Sequence, residues 1–144
     1  MSELTHNITD IARCAAQFRT EELAPLGLKA CHGSYLAQIC ACPGITQDQL
    51  AQRIFINKSN VARQLAILEE DGFVERRPCS EDKRAMRVYP TQKALDVLPR
   101  IHEILLCWEL LLTQDLSEEE KRLLGNMLCK MKSQAANWMD NHER

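Results

Sequence analysis

Between positions 58 and 64 the chain reads KSNVARQ, and Lys58, Ser59, Asn60 and Arg63 are side chains of the kinds that hydrogen-bond nucleic acid. The amide of an Asn can bridge N6 and N7 of adenine, and an Arg guanidinium can bridge O6 and N7 of guanine. Each good bidentate contact discriminates between bases by about 1–3 kcal/mol. Lys58 and, upstream, Thr46 suit phosphate oxygens. Gln64 lies closer to a buried edge and suits either job or neither. Further on, Lys83 and Arg84 form an adjacent pair of cations in a loop, the kind of tip that can enter a minor groove. Asp82 beside them is expected to hold Arg84 through an ion pair. The competing reading of the same residues is a solvated helix face and an exposed mixed-charge loop of little energetic consequence.

The elements needed to hold these groups can be read from local signals. Thr46 with Gln49 makes a capping box that opens a short helix whose inner face is Leu50, Ala51 and Ile54. Phe55 and Ile56 make a turn, and Asn57 caps a second helix in which Val61, Leu65 and Leu68 recur at core spacing up to Gly72. With those three inward, Ser59, Asn60 and Arg63 point outward near the helix start, the end that enters a major groove. Phe73–Arg77 and Ala85–Tyr89 have strand character, with Val74 and Val88 inward and the loop Pro78–Arg84 between them. Two helices, a glycine stop and a strand pair with a charged loop make a winged helix-turn-helix over about 43–91.

Around this module lie further helical patterns. Ile8, Ile11, Ala15 and Phe18 define a first helix ending near Thr20, and a second runs from about Leu28 to Cys40 with Tyr35, Leu36 and Ile39 inward. After Pro90-Thr91, the apolar residues Ala94, Leu98, Ile101, Leu105, Trp108 and Leu112 repeat at coiled-coil spacing. Ser117 and Glu120 cap a last helix lined by Leu124, Met127, Leu128, Met131, Ala135 and Trp138. The expected fold is mainly α: one domain over 1–144, with a two-stranded β wing and N- and C-terminal dimerisation helices at about 5–20 and 92–141. The apolar stripes of these helices exceed what a small winged-helix body covers, so a homodimer is expected.

Composition agrees with that class. With 45% hydrophobic and 26% charged residues, and only five Gly and five Pro, the chain is neither disordered nor β-rich. A net charge of −2 argues against a nucleic-acid partner until it is localised. From Arg53 to Lys93 there are nine Lys or Arg against six Asp or Glu, a net +3, which leaves −5 for the remainder. The positive charge thus lies where the reading module lies. No signal peptide or membrane-length apolar run is found, which points to the cytoplasm. Seven cysteines, odd in number and irregularly spaced, are expected to be free thiols there.

The segment GITQDQLAQRIFINKSNVARQLAILEEDGFVERRPCSEDKRAMRVYPT resembles the core of MarR-family transcriptional regulators, and the flanking helices match that family's arrangement. The likeness is carried by Leu50-Ala51, Asn57 to Arg63, Leu68-Glu69 running into Gly72-Phe73-Val74, Asp82-Lys83-Arg84, and Thr91. It implies an obligate dimer on double-stranded DNA at a pseudo-palindromic operator, usually a repressor, released by a small phenolic or anionic effector or by an oxidant. Two positions depart from the family pattern. Phe55 stands where the family often has Gly and is expected to pack under the turn, and Gln92-Lys93-Ala94 lacks a Gly common after the Thr.

Some members sense peroxides through a first-helix cysteine, which makes Cys14, beside Arg13, a candidate redox residue with Tyr35 as the one residue that could hydrogen-bond its thiolate; the reading preferred for Cys14 is nonetheless an inert packed thiol. A zinc-sensing branch directs attention to Cys31, His32, Cys40, Cys42, His102, Glu103 and Cys107. Their spacings diverge around a helix, so no metal site is expected. Nor is a cofactor or an enzymatic activity, since catalytic and phosphate-cradling motifs are missing from the sequence. The alternative of another class is a winged-helix protein-interaction module without specific DNA binding.

Overall fold

The computed structural model describes residues 2–142. The chain forms helix α1 (Glu3–Leu23), a 3-10 turn (Ala24–Leu26), α2 (His32–Ala41), strand β1 (Ile45–Thr46), α3 (Gln47–Ile54), α4 (Lys58–Glu70), β2 (Val74–Pro78), β3 (Met86–Pro90), α5 (Gln92–Thr113) and α6 (Glu118–His142). It is a mainly helical winged helix-turn-helix. Its contacts divide it into one compact unit that ends at Trp108 and a second that begins at Glu109. Among the described residues no helix is long and apolar enough to cross a membrane.

In the first unit, α2, α3 and α4 surround a core of Tyr35, Leu36, Ile39, Leu50, Ala51, Val61, Leu65 and Leu68, closed by Phe73 just before β2 and by Val74 and Val88 from the sheet. Full burial of each large apolar side chain contributes about 1.5–3 kcal/mol, so this cluster fixes the angle between the two short helices. The sheet has the order β1-β3-β2, antiparallel throughout, with Ile45 opposite Val88 and Arg76 opposite Val88 from the other side. Strand β1 is an addition to the two-stranded wing read from the sequence. It is two residues long and ends on the residue that caps α3, too short to show an alternation.

Two element boundaries move for tertiary reasons. Helix α1 continues to Leu23 because that side chain, 1% exposed, is drawn into the core, and Gly27 at φ 76° then reverses the chain. Helix α2 begins at His32 rather than near Leu28, since Leu28 itself is buried in the turn before the helix. On α5 the buried face is Ala94, Ile101 and Ile104, while Leu98, Leu105 and Trp108 are half-buried and Leu112 is exposed. Pro99 lies inside α5 without ending it. Phe18 of α1 meets Trp108 with ring centroids 5.1 Å apart, and Arg100 of α5 pairs with Glu22 at 3.0 Å.

Phe55 does not tuck under the turn. It is 40% exposed and ends α3 in the left-handed region, φ 58° and ψ 42°, alone among the described non-glycine residues. A Cβ in that region costs about 1–2 kcal/mol, the reason glycine is favoured at such a turn. The next helix starts on firmer ground. Asn57 Oδ1 accepts from the Asn60 amide at 2.8 Å and from Ser59 Oγ at 2.9 Å. Asn57→Ala is therefore expected to destabilise the fold by about 1 kcal/mol, read as a lower urea midpoint at unchanged slope. An unchanged midpoint would show that the cap carries no stability.

Candidate nucleic-acid interface

Leu65 and Leu68 bury one side of α4 and thereby turn its opposite side outward. Ser59 and Arg63 are exposed there and Asn60 is half-buried at the first turn. Arg63 makes no ion pair among the described residues, so its guanidinium has no internal carboxylate to leave before meeting a base edge. Ser59 donates to the Asn57 cap, so its role at this end is partly internal. Lys58 Nζ lies 3.3 Å from Asp48 Oδ2 with both side chains 68% exposed. A pair that open is worth no more than about 1 kcal/mol, and a phosphate can displace the carboxylate. Thr46 closes the capping box: its Oγ1 accepts from the Gln49 amide at 3.1 Å and Gln49 Oε1 accepts from the Thr46 amide at 3.0 Å. The hydroxyl keeps its donor capacity, the polarity that a phosphate oxygen requires.

Gln64 is turned away from this set. Its Oε1 accepts from His32 Nε2 at 2.9 Å and from Cys31 Sγ at 3.8 Å, which ties α4 to the start of α2. The buried-edge position inferred from sequence is correct, and the partner that claims the side chain lies on another helix.

The wing spans the loop between β2 and β3. Cys79 N–H donates to Ala85 O at 2.8 Å and Ala85 N–H to Asp82 O at 3.0 Å, which pins the loop base and leaves Lys83 and Arg84 exposed at its tip. Asp82 does not hold the Arg84 guanidinium. Its Oδ1 accepts the backbone N–H of Arg84 at 3.0 Å, a short turn contact that is satisfied within two residues and leaves the cationic group outside. Below the tip, Cys79 is buried, and the backbone N–H groups of Glu81 and then Asp82, with Arg87 contributing less, hold its thiol below the ordinary range. No sequence signal marked Cys79, because its partners are backbone amides.

Arg76 was also missed. Its guanidinium donates to Glu69 Oε1 at 3.2 Å and to Gln47 Oε1 at 3.2 Å, and its own N–H donates to Glu69 Oε2 at 2.8 Å. One half-buried arginine thus clamps β2 to both short helices. Arg77 lies 4.6 Å over the Tyr89 ring and pairs with Glu75, and Arg87 donates to Gly44 O at 2.8 Å. Several of the nine cations that gave the segment its positive balance are therefore structural.

The sensing candidates separate clearly. Cys14 is exposed on α1 and not packed, and Arg13 beside it pairs with Asp10 at 3.8 Å. Tyr35 is fully buried and its hydroxyl has no hydrogen-bond partner among the described residues, so it makes no thiol–phenol pair with Cys14 there. Burial, with Cys31 adding to it, pushes the Tyr35 phenol up to about 12. Among the described residues no three His, Cys, Asp or Glu side chains gather into a possible metal site.

A capped helix pair with an outward polar start, a clamped antiparallel wing with cations at its tip, and long helices at both ends define a winged helix-turn-helix regulator. The chain belongs to the MarR family of transcriptional regulators: the family profile matches residues 32–86. The HTH-type transcriptional regulator YwoH of Bacillus subtilis (strain 168) is 31% identical over 124 residues, 86% of this chain and 90% of YwoH. YybA of the same organism, another HTH-type regulator, is 31% identical over 99 residues, 69% of this chain and 66% of YybA, just under two thirds of that relative. Among solved structures, the transcriptional regulator SlyA superposes with a TM-score of 0.90 at 29% identity over 94% of this chain and 96% of SlyA. A MarR family regulator from Listeria monocytogenes, complexed with a 26mer DNA, gives 0.89 at 25% identity over 95% of this chain and 91% of that one.

Proposed function

We propose that this chain is a dimeric, sequence-specific double-stranded DNA-binding regulator, a repressor that α4 and the wing seat on a pseudo-palindromic operator. The observation that carries the reading is the outward start of α4, where unpaired Arg63 and half-buried Asn60 stand beside each other on a helix whose other side is core. The likeness to a regulator that was crystallised with a 26mer DNA supports it. In this reading Asn60 and Arg63 meet base edges. Lys58, Ser59 and Thr46 hold the backbone, and Lys83 and Arg84 reach the flanking minor groove while Asp82 keeps the wing turn closed. Gln64 acts from behind. The exposed apolar residues Ile8 and Ile11 of α1, Leu110 and Leu111 of α5, and Met127 and Leu128 of α6 support a homodimer. Release by a small anionic or phenolic effector belongs to the same reading. So does release by a peroxide at exposed Cys14, where the sulfur would take one peroxide oxygen as a sulfenic acid and the other would leave as water or alcohol.

The test is a gel shift of the purified protein with duplex DNA from its own upstream region, at two salt concentrations, with mass by light scattering. A specific, salt-sensitive shift by a dimer is expected, and DNA should be released by at least one of peroxide, zinc or a phenolic acid. A monomer without a specific shift would favour a protein-interaction module instead. Arg84→Ala is expected to weaken binding to all sequences alike and to lower the slope of log K against log salt by about 1. A slope equal to wild type would remove the wing from the DNA contact.

A further inference from the structure

Apart from the Tyr35 hydroxyl, His32 brings the one polar group of its kind into the buried core of the described residues, 1% exposed at the first residue of α2. Both of its ring nitrogens are committed. Nδ1 accepts the N–H of Lys29 at 3.1 Å, so the proton resides on Nε2, which donates to Gln64 Oε1 at 2.9 Å. Gln64 is on α4 immediately after Arg63 and one turn beyond Asn60. The rest of the α4 inner face is Val61, Leu65 and Leu68, whose apolar packing settles which side of the helix faces the core, although the hydrophobic effect itself has no direction. A buried hydrogen bond does have direction. Resting on the DNA-reading assignment above, we propose that His32 is a positioning residue for α4: through Gln64 it fixes the helix rotation at which Asn60 and Arg63 meet base edges, and only its neutral imidazole does so.

The chemistry behind that last clause is simple. A protonated ring carries a second N–H on Nδ1, which would face the N–H of Lys29, donor against donor. The charged and titratable groups around the ring are Lys29 and Cys31 before α2, Tyr35 on α2, and Asp71 at the end of α4. Burial raises both Cys31 and Tyr35, so each is uncharged near neutrality. Burial is also the main cause that holds His32 below its ordinary value. The Gln64 bond opposes it, Lys29 adds to it and Asp71 works against it. The unfolded imidazole titrates at about 6.5. The folded one titrates lower, so the contribution is whole above about pH 6.5 and is lost as pH falls through the folded value.

The experiment selects an operator from a random duplex pool with the wild-type protein. It then measures the ratio of affinities for that operator and for a scrambled duplex of equal length between pH 5.5 and 8. Any change of surface charge with pH that strengthens both duplexes alike cancels in the ratio. At pH 7.5, His32→Leu and Gln64→Leu should each lower the ratio by about tenfold, the worth of one buried hydrogen bond, and the double variant should fall no further. His32→Gln can accept from Lys29 and donate to Gln64 without titrating. It should keep the wild-type ratio at pH 7.5 and abolish the loss of ratio in acid. Thermal unfolding identifies a variant that fails to fold, and Gln64→Leu with His32→Gln decides the matter if His32→Leu does. A wild-type ratio in Gln64→Leu, or an acid loss that persists in His32→Gln, overturns the assignment. A wild-type protein that selects no operator overturns the DNA reading itself, and that result appears before any variant is made.

Discussion

Arg63→Ala is expected to weaken binding to the operator by about 10- to 100-fold while leaving binding to an unrelated duplex nearly unchanged. The size follows from what the side chain does and does not touch. Arg63 is exposed near the start of α4, and none of the ion pairs among the described residues includes it. Its removal therefore breaks no internal network and should leave the unfolding midpoint within about 0.5 kcal/mol of wild type. All of the loss then belongs to the DNA contact. Lys58→Ala should behave differently, because a phosphate contact weakens every sequence together and changes the salt slope. Binding isotherms against the operator and a scrambled duplex separate the two. An Arg63→Ala protein with undiminished preference for the operator would mean that the helix start does not read bases.

Leu128→Glu combined with Met131→Glu is expected to yield a folded monomer with operator affinity reduced at least about 100-fold. Both residues lie on α6, 47% and 38% exposed, on a stripe with Met127 at 54% and Trp138 at 60%. Since both side chains already reach water in one chain, charging them costs that chain little. In a dimer the same positions would be dry, and four carboxylates brought out of water without partners would oppose association. Two linked reading helices convert the second half-site into an intramolecular encounter, a gain of about 10²–10⁴ that a monomer forfeits. Light scattering gives the mass, far-ultraviolet circular dichroism the helicity, and a gel shift the affinity. A dimer that survives both substitutions would exclude this face of α6 from the interface.

The helix-turn-helix was legible because its signals are local. Thr46, Asn57 and Ser117 each cap the helix that follows through atoms no more than three residues away, and the structure forms all three contacts. The inward positions Val61, Leu65 and Leu68 follow from a fixed helical period, and all are buried. Departures begin where a partner comes from another element. Gln64 could be read as lying near a buried edge, but only the packing of α2 on α4 brings His32 to it. Arg76 looked like one of the segment's available cations until the strand set it against Glu69 and Gln47. The Asp82 carboxylate, by contrast, was assigned the wrong group on the right neighbour. Backbone N–H groups have no letter in a sequence, and a tight turn presents them before any flexible side chain can compete.

The sequence by itself determined the order of the elements, the caps, the inward face of the reading helix and the family to which the chain belongs. All of these depend on residues within a few positions of one another or on a long collinear pattern. Only the tertiary structure decided which cations remain free for a partner, which glutamine faces inward, that Phe55 bears the left-handed turn, and that Cys14 is open while Tyr35 is closed. Each of those outcomes depends on distances between residues far apart in the chain, set when the core closes. Charge and hydrogen-bonding capacity are properties of a residue type. Their availability is a property of the fold.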